Sequence, residues 1–129
     1  MNPFHYLYLG KWFFETRFLG KEKPLQTVLF ITNRCNLQCK HCSVYNNVSP
    51  QDMTYADVIE HLKYSYSLGS RFVDFEGGEP TLWRLEGKTV NDLIDDAKKI
   101  GFYSCTITTN AQRDFSNSHA DSIWVSMDG

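Results

Sequence analysis

Apolar and polar positions along this chain follow two periods, and the changes between them divide it into elements. Residues 27–32 (TVLFIT) form a short β-branched and apolar run, the pattern of a strand buried on both faces. This first strand leads into a polar loop that carries cysteines. Thr54, with Asp57 three positions on, has the form of a capping box at a helix start. Tyr55, Val58, Ile59, Leu62 and Tyr66 then recur at helical spacing, and Gly69 marks the stop. Residues 71–75 (RFVDF) read as a second strand that runs into Glu76-Gly77-Gly78-Glu79-Pro80.

The unit repeats. Thr89 and Asp92 mark the next helix start, Val90, Leu93, Ile94, Ala97 and Ile100 make its apolar stripe, and Gly101 closes it. A third strand is expected over residues 103–108. A polar stretch, 109–121, has room only for a short helix or an irregular crossover, and residues 122–127 (SIWVSM) read as a fourth strand. Ahead of the first strand, residues 4–19 (FHYLYLGKWFFETRFL) are aromatic-rich with scattered charges, and a polar break follows at 20–24. This lead-in reads as a helix or arm packed against the domain; a helix lying in a membrane interface would show a cleaner polar face.

Alternating strands and helices with crossovers of this length imply an α/β fold with parallel strands. In such sheets the functional loops lie beyond the carboxyl ends of the strands. The cysteine loop follows strand one, the double glycine strand two, Thr109-Asn110 strand three, and Ser126-Met127-Asp128-Gly129 strand four. All four unusual segments are thus expected at one rim. A sheet ending at strand four would leave an unpaired apolar edge, so the sequence reads as roughly the N-terminal half of a larger barrel-like domain.

Composition narrows the class. At 129 residues the chain suits one domain but is too short for a complete (β/α) barrel of roughly 250 residues. Hydrophobic residues at 42% and charged residues at 22% are globular values, which excludes a disordered or low-complexity chain. The net charge of −2, with no block of like charge, argues against nucleic acid as a partner. Residues 1–14 lack the positive start of a secretory signal, and no uncharged run is long enough to span a bilayer. Without export, the four cysteines are expected as reduced thiols or metal ligands in the cytoplasm.

Three of those cysteines crowd into Cys35-Asn36-Leu37-Gln38-Cys39-Lys40-His41-Cys42, a C-x3-C-x2-C array on one loop. Zinc ordinarily takes a fourth Cys or His, and His41 in that role would strain against the coordination of Cys42. Iron–sulfur clusters usually take four cysteines. The remaining one, Cys105, falls within the third strand, where it reads as a small core residue. Three thiolates would leave one iron open to a small molecule. An iron–sulfur electron-transfer or sensor module is the alternative to an enzyme.

The array followed by Gly77-Gly78-Glu79-Pro80, each after an expected parallel strand, resembles the radical S-adenosylmethionine (radical SAM) superfamily over about residues 25–129. Residues 1–24 match no part of that motif set. The resemblance implies a partial TIM-like (β/α) barrel and a [4Fe–4S] cluster on Cys35, Cys39 and Cys42. It implies an oxidoreductase that chelates SAM at the open iron and cleaves it reductively to a 5′-deoxyadenosyl radical, which abstracts hydrogen from a small-molecule or peptide substrate. An electron donor such as a flavodoxin or ferredoxin follows from the same chemistry. Toward SAM the resemblance points to Gly77, Gly78, Glu79 and Pro80, with the glycines allowing close backbone approach. Glu79 would contact the amino group through its backbone or order the loop through its carboxylate. His41 stands where the family often has an aromatic near the adenine. Asn110, with Thr108 and Thr109, resembles a strand-three element that faces SAM or substrate, and Asn110 equally suits a turn cap. Ser126 and Asp128 resemble ribose- or methionine-contacting positions at the end of strand four.

Overall fold

The structure, a computed structural model, describes residues 1–35 and 51–127. Cys39, His41, Cys42 and Asp128 lie outside the described residues. In chain order the elements are helix α1 (Pro3–Phe18), strand β1 (Gln26–Thr32), helix α2 (Tyr55–Ser67), strand β2 (Phe72–Gly77), a 3-10 turn (Pro80–Leu82), strands β3 (Arg84–Leu85) and β4 (Lys88–Thr89), helix α3 (Val90–Ile100), and strands β5 (Ser104–Thr109) and β6 (Ser122–Val125).

Local chemistry sets the helix boundaries where the sequence pattern places them. The Thr54 hydroxyl accepts from Asp57 N at 3.1 Å at the head of α2. At α3 the reciprocal arm is made, with Thr89 N donating to Asp92 Oδ2 at 2.8 Å. Gly101 closes α3 at φ +124°, a conformation that favours glycine.

The main sheet runs β1-β2-β5-β6, all parallel. Consecutive strands are neighbours, the order of a singly wound barrel wall rather than of a doubly wound sheet. One face carries Leu29, Ile31, Val73, Phe75, Cys105 and Ile107, which pack with Val58 and Leu62 of α2 and Leu93, Ile94 and Ala97 of α3 into a single core. Trp83 completes this core, fully buried, with its indole N–H donating to Met53 O at 2.8 Å.

The opposite face is open. Val28 and Phe30 of β1 are 44% and 57% exposed and Trp124 of β6 is 68% exposed. The expectation of a first strand buried on both faces is therefore corrected: α2 and α3 lie on one side, so Leu29 and Ile31 are covered while Val28 and Phe30 are exposed, and Thr32 is buried at the strand's end. The remaining strands differ from expectation at their ends. β2 continues through Gly77, β5 through Thr109, and β6 stops at Val125 rather than at residue 127. Residues 110–121 form no regular element and descend through turns, as their polar composition implies.

A two-stranded hairpin, β3 with β4, was not evident from the pattern; its turn residues Glu86 and Gly87 take φ +54° and +73°. The aromatic lead-in forms α1, capped by Asn2. It lies across the amino-terminal ends of the strands, away from the rim. There His5 stacks on Tyr103 at 3.8 Å, Tyr8 donates to Gly69 O, and the Arg71 guanidinium sits 4.8 Å from the Tyr8 ring and 3.7 Å from the Tyr66 ring. No helix among the described residues is long and apolar enough to cross a membrane.

Candidate functional site

The rim is assembled by backbone crossing backbone. As β2 ends, Gly78 N donates to Thr32 O at 2.8 Å and Glu79 N donates to Arg34 O at 2.7 Å, which stitches the glycine segment to the chain leading into Cys35. A Cβ on Gly77 would stand 2.2 Å from Thr32 O, and one on Gly78 would stand 2.1 Å from Arg34 O. Gly77 also holds φ +145°. Both positions exclude a side chain because the exit of β1 occupies the space a Cβ would need.

Glu79 is fully buried beneath this crossing. Its Oε1 accepts from Thr109 Oγ1 at 2.5 Å, Thr81 Oγ1 at 2.8 Å and Thr81 N at 3.3 Å, and its Oε2 accepts from Asn110 N at 2.8 Å. The carboxyl group is thus engaged by protein donors from the 3-10 turn and the end of β5, as a buried polar group requires. Pro80, also buried, opens the 3-10 turn that carries Thr81.

Glu79 brings Asn110 against the cysteine. Asn110 Nδ2 lies 3.6 Å from Cys35 Sγ, which is half-buried at the rim. On the far side Ser126 N donates to Thr109 O at 2.9 Å, which ties the end of β6 into the same edge, with the Ser126 side chain exposed. Among the described residues, then, Cys35, Gly77, Gly78, Glu79, Pro80 and Asn110 meet in one hydrogen-bonded unit and Ser126 borders it.

The stems on either side of residues 36–50 are joined. Arg34 Nη2 pairs with Asp52 Oδ2 at 2.5 Å, Thr32 Oγ1 donates to Asp52 Oδ1 at 2.5 Å, and Asn33 N donates to Gln51 O at 3.0 Å. Arg34 and Asp52 were not singled out in the sequence, since a charged pair separated by a loop carries no local signal.

Two titratable groups contrast with the rim. Cys105 is fully buried in the core and burial pushes its thiol up to about 12, which makes it an inert packing residue. Asp74 and Glu76 project from β2 onto the open face of the sheet, where Thr108 Oγ1 lies 3.2 Å from Asp74 Oδ2 and 3.5 Å from Glu76 Oε1. Burial, then the neighbouring Glu76 carboxyl, raises Asp74 to about 6. Sequence reasoning passed over Asp74; the i, i+2 spacing in VDFEGG was the available signal.

Among the described residues no three His, Cys, Asp or Glu side chains gather as a metal site. The donor chemistry at Cys35 nonetheless fits a cluster ligand. It is a sulfur donor at the rim, half-buried, with the Asn110 amide nitrogen 3.6 Å from its Sγ, the kind of outer contact that orients a metal ligand.

Comparison with known proteins gives the same direction. A family model described as the radical SAM superfamily matches residues 29–124. A PqqA peptide cyclase of Bradyrhizobium diazoefficiens is 35% identical over 88 residues, covering 67% of this chain and 22% of the cyclase. A solved structure described as native anSMEcpe with bound AdoMet and Kp18Cys peptide superposes with a TM-score of 0.52 at 24% identity, covering 72% of this chain and 27% of that one. The chain spans about a quarter of the length of these relatives.

Proposed function

The chain belongs to the radical SAM superfamily, and from that premise we propose that residues 25–129 are the N-terminal portion of a core domain that binds a [4Fe–4S] cluster and cleaves S-adenosylmethionine reductively. Cys35, Cys39 and Cys42 would hold the cluster and leave one iron for SAM. The cluster, when bound and reduced by a donor such as a flavodoxin or ferredoxin, supplies the electron that splits SAM into methionine and a 5′-deoxyadenosyl radical.

The chain's own residues then have separable tasks. The backbone of Gly77 and Gly78, stitched to the exit of β1 through Gly78 N and Thr32 O, would offer its remaining polar groups to the methionine end of SAM. Glu79 and Pro80 hold that segment from below rather than by side-chain contact, since the Glu79 oxygens are already taken. His41, Ser126 and Asp128 would border the adenosine and ribose. The observation that carries the reading is the hydrogen-bonded unit of Cys35, the glycine pair, Glu79 and Asn110 in a chain matched by the family model. A peptide is the substrate class favoured by the name of the 35%-identical relative, and the cytoplasm, with its reductants, is the compartment this chemistry needs.

Anaerobic reconstitution with iron and sulfide tests the proposal. The expected result is uptake of iron and sulfide in equal amounts with a visible chromophore, lost in Cys39→Ala. A colourless zinc-bound chain, or a cluster indifferent to Cys39, would overturn it.

A further inference from the structure

Asn110, the first residue after β5, has three groups engaged. Its backbone N–H donates to Glu79 Oε2 at 2.8 Å, its Oδ1 accepts from Gln112 N at 3.1 Å, and its Nδ2 stands 3.6 Å from Cys35 Sγ. The second contact decides the orientation of the amide. An oxygen is required against Gln112 N–H, so the nitrogen is the atom turned toward sulfur. The first contact makes that orientation rigid, because the Glu79 carboxylate is fully buried and also bound to Thr81 and Thr109.

An N–H aimed at a ligand sulfur interacts more strongly as negative charge accumulates there. Adding an electron to an iron–sulfur cluster spreads charge onto its thiolates, so such a donor favours the reduced state. We propose that Asn110 is a positioning residue for the cluster, donating its side-chain N–H to the Cys35 thiolate and raising the reduction potential of the cluster. This rests on the cluster reading above, and it assigns the Asn110 amide to the cluster ligand rather than to SAM. Glu79 acts one step further out, as the anchor that holds Asn110 in place.

The test uses the 129-residue chain, reconstituted anaerobically and reduced, without SAM, so that no SAM nitrogen contributes. Electron spin echo envelope modulation is recorded with ordinary asparagine and with asparagine carrying 15N only in its side-chain amide. The expected result is a weak 14N modulation that changes to the 15N pattern on labelling. It should disappear in Asn110→Asp, which keeps an oxygen for Gln112 N–H but removes the donor. Asn110→Leu, which adds no charge, supplies the potential. At a fixed ambient potential its ratio of reduced to oxidised cluster should fall roughly tenfold, about 59 mV for a one-electron couple.

A reduced cluster with no coupled asparagine amide nitrogen would overturn the inference, as would an Asn110→Leu potential equal to that of the parent. Should Asn110→Asp fail to fold, Asn110→Leu, which also lacks the side-chain amide, serves as the spectroscopic control that separates Asn110 from Asn33 and Asn36 beside Cys35. A parent chain that takes up no cluster refutes the proposed function itself, an outcome visible before any spectrum of the reduced state is taken.

Discussion

Gly78→Ala is the substitution for which the structure sets the firmest expectation. The new Cβ would meet Arg34 O at 2.1 Å, Arg34 C at 2.5 Å and Asn33 C at 3.0 Å, all backbone atoms that cannot rotate away. Ordinary contact between such atoms is about 3.5 Å, so the glycine segment and the exit of β1 must part by about an ångström. That movement stretches Gly78 N to Thr32 O and Glu79 N to Arg34 O, now 2.8 and 2.7 Å. Two backbone hydrogen bonds are worth about 1–3 kcal/mol together, and forced overpacking adds about 1–3 kcal/mol. A loss of about 2–6 kcal/mol follows, which at about 4 °C per kcal/mol for a chain of this size lowers Tm by about 8–24 °C. Thermal unfolding of the metal-free chain, followed by circular dichroism, measures it. Gly10→Ala is the parallel control: nothing lies within 4 Å of its Cβ position on α1, and Ala should gain about 0.5–1 kcal/mol there. A Gly78→Ala chain melting within about 2 °C of the parent would refute the claim that the crossing of β1 and the glycine segment requires glycine.

Other substitutions have equally definite outcomes. Asp74 has a folded pKa raised to about 6 from 3.8, so its contribution to stability is complete below about pH 4 and is lost as pH rises through about 6. Asp74→Asn should therefore stabilise the chain above pH 7 by up to about 3 kcal/mol and do nothing at pH 3.5, as urea unfolding at the two pH values would reveal. Cys105→Ala should retain the cluster after reconstitution while costing about 1 kcal/mol from the lost packing, and at pH 8 the Cys105 thiol of the native chain should resist alkylation. Loss of iron in that variant would reassign the ligands. Glu79→Ala leaves Thr109, Thr81 and Asn110 N without their acceptor and should cost about 3–5 kcal/mol, read as a lowered urea midpoint.

The strands and helices that alternate after residue 25 were legible because their signals are local. Thr54, Thr89 and Gly101 mark helix ends through contacts with residues a few positions away, and the stripes of α2 and α3 supply the apolar cover for one sheet face. What the pattern could not give was which faces are covered. Val28 and Phe30 look like core residues, yet both helices pack on the other side of β1. The hairpin escaped because Glu86-Gly87 is a weaker turn signal than Asn-Gly or Asp-Gly.

At the rim, the sequence placed Cys35, the glycine pair and Asn110 at neighbouring strand ends, and the structure joins them directly. The roles of Glu79 and Arg34 depend on partners 30 and 18 positions distant, which no periodicity encodes. The glycine pair serves a need the motif alone did not disclose, since its absent side chains make room for the chain's own backbone.

The most direct test of the central claim is electron paramagnetic resonance of the anaerobically reconstituted, reduced chain with and without S-adenosylmethionine. The expected result is a four-iron signal whose shape changes when SAM is added, because SAM would bind the iron that the three cysteines leave open. A cluster signal identical in the presence and absence of SAM would contradict it.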